Sequence, residues 1–83
     1  MKLMEQMTKK IKLSWDFRGP DGAKTAEHYT HHLEEFIVAN KLKNRVYGTE
    51  DMTKMHSASY MLIDEVELEA VKRALRPHRI EDM

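Results

Sequence analysis

The sequence contains no cysteine, which excludes structural disulfides, thiol nucleophiles and thiolate metal ligands. Any metal would have to be bound by His, Asp or Glu. The chain also lacks a net charge, because 14 Lys and Arg residues balance 14 Asp and Glu residues. A neutral chain has no long-range field that would attract nucleic acid or an anionic membrane, so we expect neither as a partner.

Long hydrophobic runs are missing as well. The longest apolar runs, at 36–39 and 60–63, have four residues, whereas a membrane-spanning helix needs about 20 and the core of a signal peptide at least about 7. We therefore predict a cytoplasmic protein. A chain of 83 residues has room for one hydrophobic core, so we expect one α+β domain at 9–83 after a flexible lead-in at 1–8.

Glycine and proline are scarce, with three and two residues, so their positions mark the ends of elements. Polar and apolar residues alternate over 9–17, which predicts a half-buried strand before the turn at 18–22. Apolar residues at helical spacing then extend to about residue 41. Strands are predicted at 45–50 and 56–63, joined by a polar loop at 50–55, and a second helix at 64–76, which ends before Pro77.

This order of elements, β-α-β-β-α, predicts an α+β fold. The first helix is long enough to return the chain across a sheet, so the first two strands are expected to be parallel, with the third between them in the order 1-3-2. The order resembles the ferredoxin-like split βαβ arrangement without its last strand. It implies a three-stranded sheet with two helices on one face and the first strand at an edge.

The third strand is apolar on both sides, because Met61 and Ile63 alternate with Ala58, Tyr60 and Leu62. Both predicted helices lie on one face of the sheet, so the apolar side chains on the other face would be exposed in a monomer. We therefore predict a homodimer, formed by stacking of open faces or by pairing of first-strand edges. The leading functional hypothesis is a self-associating interaction or binding domain.

A metal-binding function is one alternative, and it depends on the first helix. His28 and His32 lie one turn apart with Glu35 on the same side, and imidazole and carboxylate groups suit zinc or another divalent ion. The competing interpretation is the solvated face of an amphipathic helix. No other cofactor is predicted.

The cations Arg76, His78 and Arg79 follow the second helix. Guanidinium groups bind phosphate or carboxylate through two hydrogen bonds, so these residues form a candidate anion site for an unidentified ligand. The same charges also complement the negative end of the helix dipole.

An enzyme is the remaining alternative. Small dimeric ferredoxin-like proteins include monooxygenase-like and isomerase-like enzymes, and this resemblance implies a cleft between sheet and helices. His56 or His78 could serve as an acid or base. The sequence identifies no nucleophile and no oriented partner, so the catalytic residues stay unassigned.

Overall fold

A computed structural model describes residues 9–82. Four strands and two α-helices follow one another along the chain: β1 (Lys10–Arg18), α1 (Gly22–Ala39), β2 (Tyr47–Thr53), β3 (His56–Asp64), α2 (Leu68–Leu75) and β4 (Arg79–Asp82). A short 3-10 helix, Glu65–Glu67, leads into α2. The α+β class is confirmed. The predicted lead-in at 1–8 lies outside the described residues.

The four strands form one sheet in the order β2-β3-β1-β4, and every neighbouring pair is antiparallel. The prediction of a three-stranded sheet with the first strand at an edge is wrong. β4 pairs with β1 over Ile11 to Ser14, and the His78 N–H donates to the Ser14 carbonyl over 2.9 Å just before it. β4 thus occupies the side of β1 that would otherwise expose unpaired backbone groups.

β2 is longer than predicted. The segment at 50–55, expected to be a loop, is strand as far as Thr53, and two residues connect it to β3. A bulge interrupts the pairing between Asp51 and Thr53. Because β2 lies at the edge of the sheet, its polar side chains reach water while its backbone pairs with β3.

One face of the sheet carries the core. The pairs Ile11 with Ile63 and Leu13 with Met61 place alternate residues of β1 and β3 on the same side. Residues of α1 and α2 pack on that side. Eight residues, each at most 3% exposed, form this core: Ile11, Leu13, Trp15, Leu33, Ile37, Met61, Ile63 and Val71.

This fold removes two contacts from the predicted homodimer: one that would bury Met61 and Ile63, and one between first-strand edges. Met61 and Ile63 are already buried by the helices of their own chain, so no second subunit is needed to cover them. β1 pairs on both sides, so pairing of first-strand edges is excluded too. What remains uncovered by the two helices is the opposite face of the sheet.

Trp15 connects β1 to the end of α2. Its indole Nε1–H donates to the Leu75 carbonyl over 2.8 Å, and its ring lies 5.4 Å from that of Tyr29, measured between centroids. The hydrogen bond satisfies a carbonyl that has no partner within the last turn of a helix. β1 is therefore held to both helices at this point.

The chain enters α1 through a close backbone contact. A Cβ atom on Gly22 would lie 2.7 Å from the carbonyl oxygen of Phe17. The Gly22 N–H also donates to the Gly19 carbonyl over 3.0 Å, which closes the turn. The turn between β1 and α1 therefore has no room for a side chain at position 22.

We expect Gly22→Ala to lower the free energy of unfolding by about 1–3 kcal/mol, because the new methyl group collides with a backbone oxygen in β1. Urea denaturation followed by the fluorescence of Trp15 measures this change. Lys24→Ala, an exposed substitution in the first turn of α1, is the control and should change stability by less than about 0.5 kcal/mol. Equal stabilities of the two variants would contradict the close contact.

Candidate functional site

The face of the sheet turned away from the helices carries polar and charged side chains. Alternate residues of β1, from Lys10 to Asp16, point to this side, opposite the core residues. Tyr60 and Arg79 flank Ser14 in the neighbouring strands. Because α1 and α2 pack on the other side, we call this surface the open face.

Asp16 joins charged side chains from three strands of the open face. Its carboxylate accepts two hydrogen bonds of 3.0 Å from the Nε and Nη2 atoms of Arg79. It also accepts a 2.8 Å hydrogen bond from Nε2 of His56. We call these three residues the open-face cluster. One carboxylate thereby connects β4, β1 and β3.

The members of the cluster are partly shielded from water. The side chain of Asp16 is 15% exposed and that of His56 is 20% exposed. The hydrogen bonds from Arg79 are the largest influence on Asp16 and hold its pKa below the ordinary value, together with the bond from His56, while burial acts in the opposite direction. Asp16 in turn raises the pKa of Arg79. The pair is therefore ionised at neutral pH.

His56 is held in a defined orientation by this arrangement. With Nε2–H donated to a carboxylate, its other ring nitrogen, Nδ1, is left to accept a proton. A carboxylate that orients an imidazole and stabilises its charged form is a recurring part of acid-base sites. The hydrogen bond from Nε2 to Asp16 therefore fixes the orientation of the His56 ring.

A second charge pair lies beside the cluster. Nζ of Lys12 contacts Oε1 of Glu50 over 2.6 Å and lies 4.9 Å from the centroid of the Tyr60 ring. That ring packs on Gly48, where a Cβ atom would come within 2.9 Å of the Tyr60 hydroxyl. Position 48 must stay without a side chain for the ring to lie across the sheet.

Small residues occupy the middle of the open face. Ser14 is 1% exposed and Ala58 is fully buried, beneath the longer side chains around them. Within residues 9–82, the Ser14 hydroxyl has no hydrogen-bond partner. A buried polar group without a partner costs about 1–3 kcal/mol. Ser14 therefore lowers the stability of the fold at this point.

The three predicted anion-binding residues have different surroundings in the structure. Arg79 joins the open-face cluster, where Asp16 already occupies its guanidinium. His78 accepts a 2.8 Å hydrogen bond from the Asp16 backbone N–H at Nδ1, so this nitrogen carries no proton while the bond lasts. Arg76 lies at the C-cap of α2 with a positive φ of 48°. A shared anion site stays a prediction, and an anion at Arg79 would have to displace Asp16.

The predicted metal ligands lie together on α1. The Nε2 atoms of His28 and His32 are 3.1 Å apart, and Oε1 of Glu35 lies 3.5 Å from Nδ1 of His32. In the described part of the chain, no group of three or more potential ligands converges on one point. Two imidazole nitrogens thus face a common position, and Glu35 stands behind one of them.

A small cavity of about 140 Å³ lies between α1 and β2. Its lining consists of Glu34, Ile37, Val38, Arg45 and Tyr47. A hydrogen bond to Glu34 is the largest cause of a raised pKa of the Tyr47 hydroxyl. None of the predicted site residues lines this cavity.

No protein-family model, curated protein or solved structure matches this chain. In the stretch from residue 9 to residue 82, no helix is long and apolar enough to cross a membrane.

Sequence reasoning proposed His56 as an acid or base but found no partner for it. Asp16 received no role, since it stands on the polar side of a strand and is 40 residues from His56. The alternation in β1 does place Asp16 on the polar side. It does not indicate which strand lies beside it.

We expect Asp16→Asn to lower the free energy of unfolding at neutral pH by about 1–3 kcal/mol, because the amide offers Arg79 and His56 only one acceptor oxygen and no negative charge. The pKa of Asp16 is lower in the folded chain, so its contribution is present above the unfolded-state pKa, about 3.9. It is lost as the pH falls through the folded-state pKa. The difference from the wild type should therefore shrink below about pH 4, measured by urea denaturation at several pH values.

Asp82→Asn is the matched control. Its side chain is 72% exposed and lies 3.9 Å from Lys9, so we expect a change of less than about 0.5 kcal/mol at every pH. A difference between Asp16→Asn and wild type that is independent of pH would contradict the assigned role of the Asp16 charge.

Proposed function

We propose that this chain is a binding domain that forms a homodimer by stacking the open faces of two sheets. The element order β-α-β-β-α-β and the strand order β2-β3-β1-β4 support a ferredoxin-like arrangement for each subunit. A cytoplasmic location stays a prediction.

The observation that carries the proposal is that the charges of the open face are already paired. Covering an unpaired charge is costly because the charge loses its water. Here Asp16 is paired with Arg79 and Lys12 with Glu50. A second subunit can therefore cover this face without leaving an isolated charge.

The same pairing favours a second copy of this chain as the occupant. With the pair of Lys10 and Asp64, the paired charges of the face are three positive and three negative groups, so they balance. In a symmetric dimer each pair can face a pair of the other subunit with the signs reversed. A partner with a strong charge of one sign would be repelled by half of the face.

The shape of the face also suits stacking. Tyr60 lies across Gly48 and contributes aromatic surface, and Leu62 is partly exposed beside it. A four-stranded sheet with its longest strands of nine residues measures roughly 20 by 30 Å. The resulting area of roughly 600 Å² approaches the area of about 800 Å² that each partner contributes to a stable complex.

Light scattering at micromolar concentration tests the dimer. We expect a mass of twice 9.8 kDa for the wild type and a monomer for Leu62→Arg, since the new charge would be buried without a partner. Val66→Arg is the control, because Val66 is 79% exposed and lies outside the sheet, and it should stay dimeric. A monomeric wild type, or loss of the dimer in Val66→Arg alone, would reject the proposal. Circular dichroism establishes that both variants fold.

Acid-base catalysis is the second candidate function, and the hydrogen bond between His56 and Asp16 favours it. A stacked dimer would enclose this pair and limit its contact with water, which would strengthen its electrostatic interactions. We expect diethyl pyrocarbonate to modify His56 more slowly in the wild type than in Leu62→Arg, as followed by peptide mass spectrometry. Equal modification rates in the two proteins would mean that His56 is accessible to water in the dimer, and this result would argue against acid-base catalysis.

A further inference from the structure

His28 and His32 lie four residues apart on the exposed surface of α1. Their rings meet edge to face, with centroids 4.7 Å apart, and their Nε2 atoms are separated by 3.1 Å. In a hydrogen bond between two imidazoles, one nitrogen carries the proton and the other accepts it. Both Nε2 atoms are thus directed at the same small region of space.

The separation of these nitrogens fits a shared metal ion. Zinc binds imidazole nitrogen at about 2.0–2.1 Å, and two nitrogens 3.1 Å apart at that distance subtend an angle of roughly 100° at the metal. This value lies between the cis angle of an octahedral site, about 90°, and that of a tetrahedral site, about 109°. A metal ion can replace the shared proton without a change in the helix.

Glu35 lies beside the second ring nitrogen of His32. Its Oε1 atom lies 3.5 Å from Nδ1 of His32, the ring nitrogen that does not face His28. Metal-binding histidines commonly donate their second N–H to a carboxylate, which orients the ring and makes the metal-binding nitrogen more basic. Glu35 lies where a small side-chain movement would let it position His32 in this way.

We propose that His28 and His32 chelate one divalent transition-metal ion through their Nε2 atoms, with Glu35 positioning His32. The remaining coordination positions are open to water or to an exchangeable ligand. Imidazole nitrogen favours copper, nickel and zinc over magnesium and calcium. We therefore expect affinity to fall from copper to nickel and zinc, and to be lowest for magnesium.

This site does not depend on the proposed dimer. α1 packs on the core side of the sheet, so the histidine pair and the open face belong to opposite sides of the molecule. The monomeric variant Leu62→Arg should bind metal as the wild type does. An experiment that rejects the dimer therefore does not reject the metal site, and the reverse also holds.

Isothermal titration of the untagged full chain with nickel and with zinc tests the proposal. We expect one ion per chain and an increase in Tm with metal concentration, because the folded helix brings the two nitrogens together and the unfolded chain does not. His28→Ala and His32→Ala should each weaken binding by at least about 10- to 100-fold, and Glu35→Gln by about 10-fold.

His31→Ala is the control for the substitutions. His31 lies on the same helix with its side chain 76% exposed and has Glu34 as its neighbour at 3.9 Å, so its loss should leave the affinity unchanged. Three results would overturn the proposal: an unchanged affinity in His28→Ala/His32→Ala, an equal loss in His31→Ala, or magnesium binding as tight as zinc binding. Absence of any rise in Tm with metal would overturn it as well.

Discussion

The backbone pairing of β1 on both of its sides is the constraint on which the rest of this structure depends. β1 lies between β3 and β4, and its side chains point alternately to the two faces of the sheet. One set, represented by Leu13, enters the core beneath the helices, and the other, represented by Asp16, lies on the open face. The hydrogen bonds of Asp16 to His56 and Arg79 then tie the three adjacent strands together on that face.

The two candidate sites obey different physical rules. The open-face cluster consists of paired and partly shielded charges, so its properties come from the interaction of groups on different strands. The histidine pair of α1 lies on an exposed helix surface, where four-residue spacing is enough to bring two side chains together. The first site is thus assembled from distant parts of the chain, and the second from one helix.

Local periodicity identified most of the elements. Alternation of polar and apolar residues located β1, and helical spacing located α1, because each pattern reports one buried side. β4 was missed because Arg79–Asp82 contains one apolar residue, Ile80, which is 42% exposed. The predicted second strand ends too early, at residue 50, because edge strands tolerate polar residues such as Glu50 and Asp51. In both cases backbone pairing, not side-chain burial, creates the strand.

The sequence by itself determined the α+β class, the polar side of β1 and the pairing of His28 with His32, since these follow from spacings of two or four residues along the chain. Only the tertiary structure decided that Asp16 receives His56 and Arg79, which are 40 and 63 residues away. Strand order sets which side chains become neighbours across a sheet. The pairing of β1 with β3 brings His56 to Asp16, and the pairing of β1 with β4, a segment without a hydrophobic pattern of its own, brings Arg79 there.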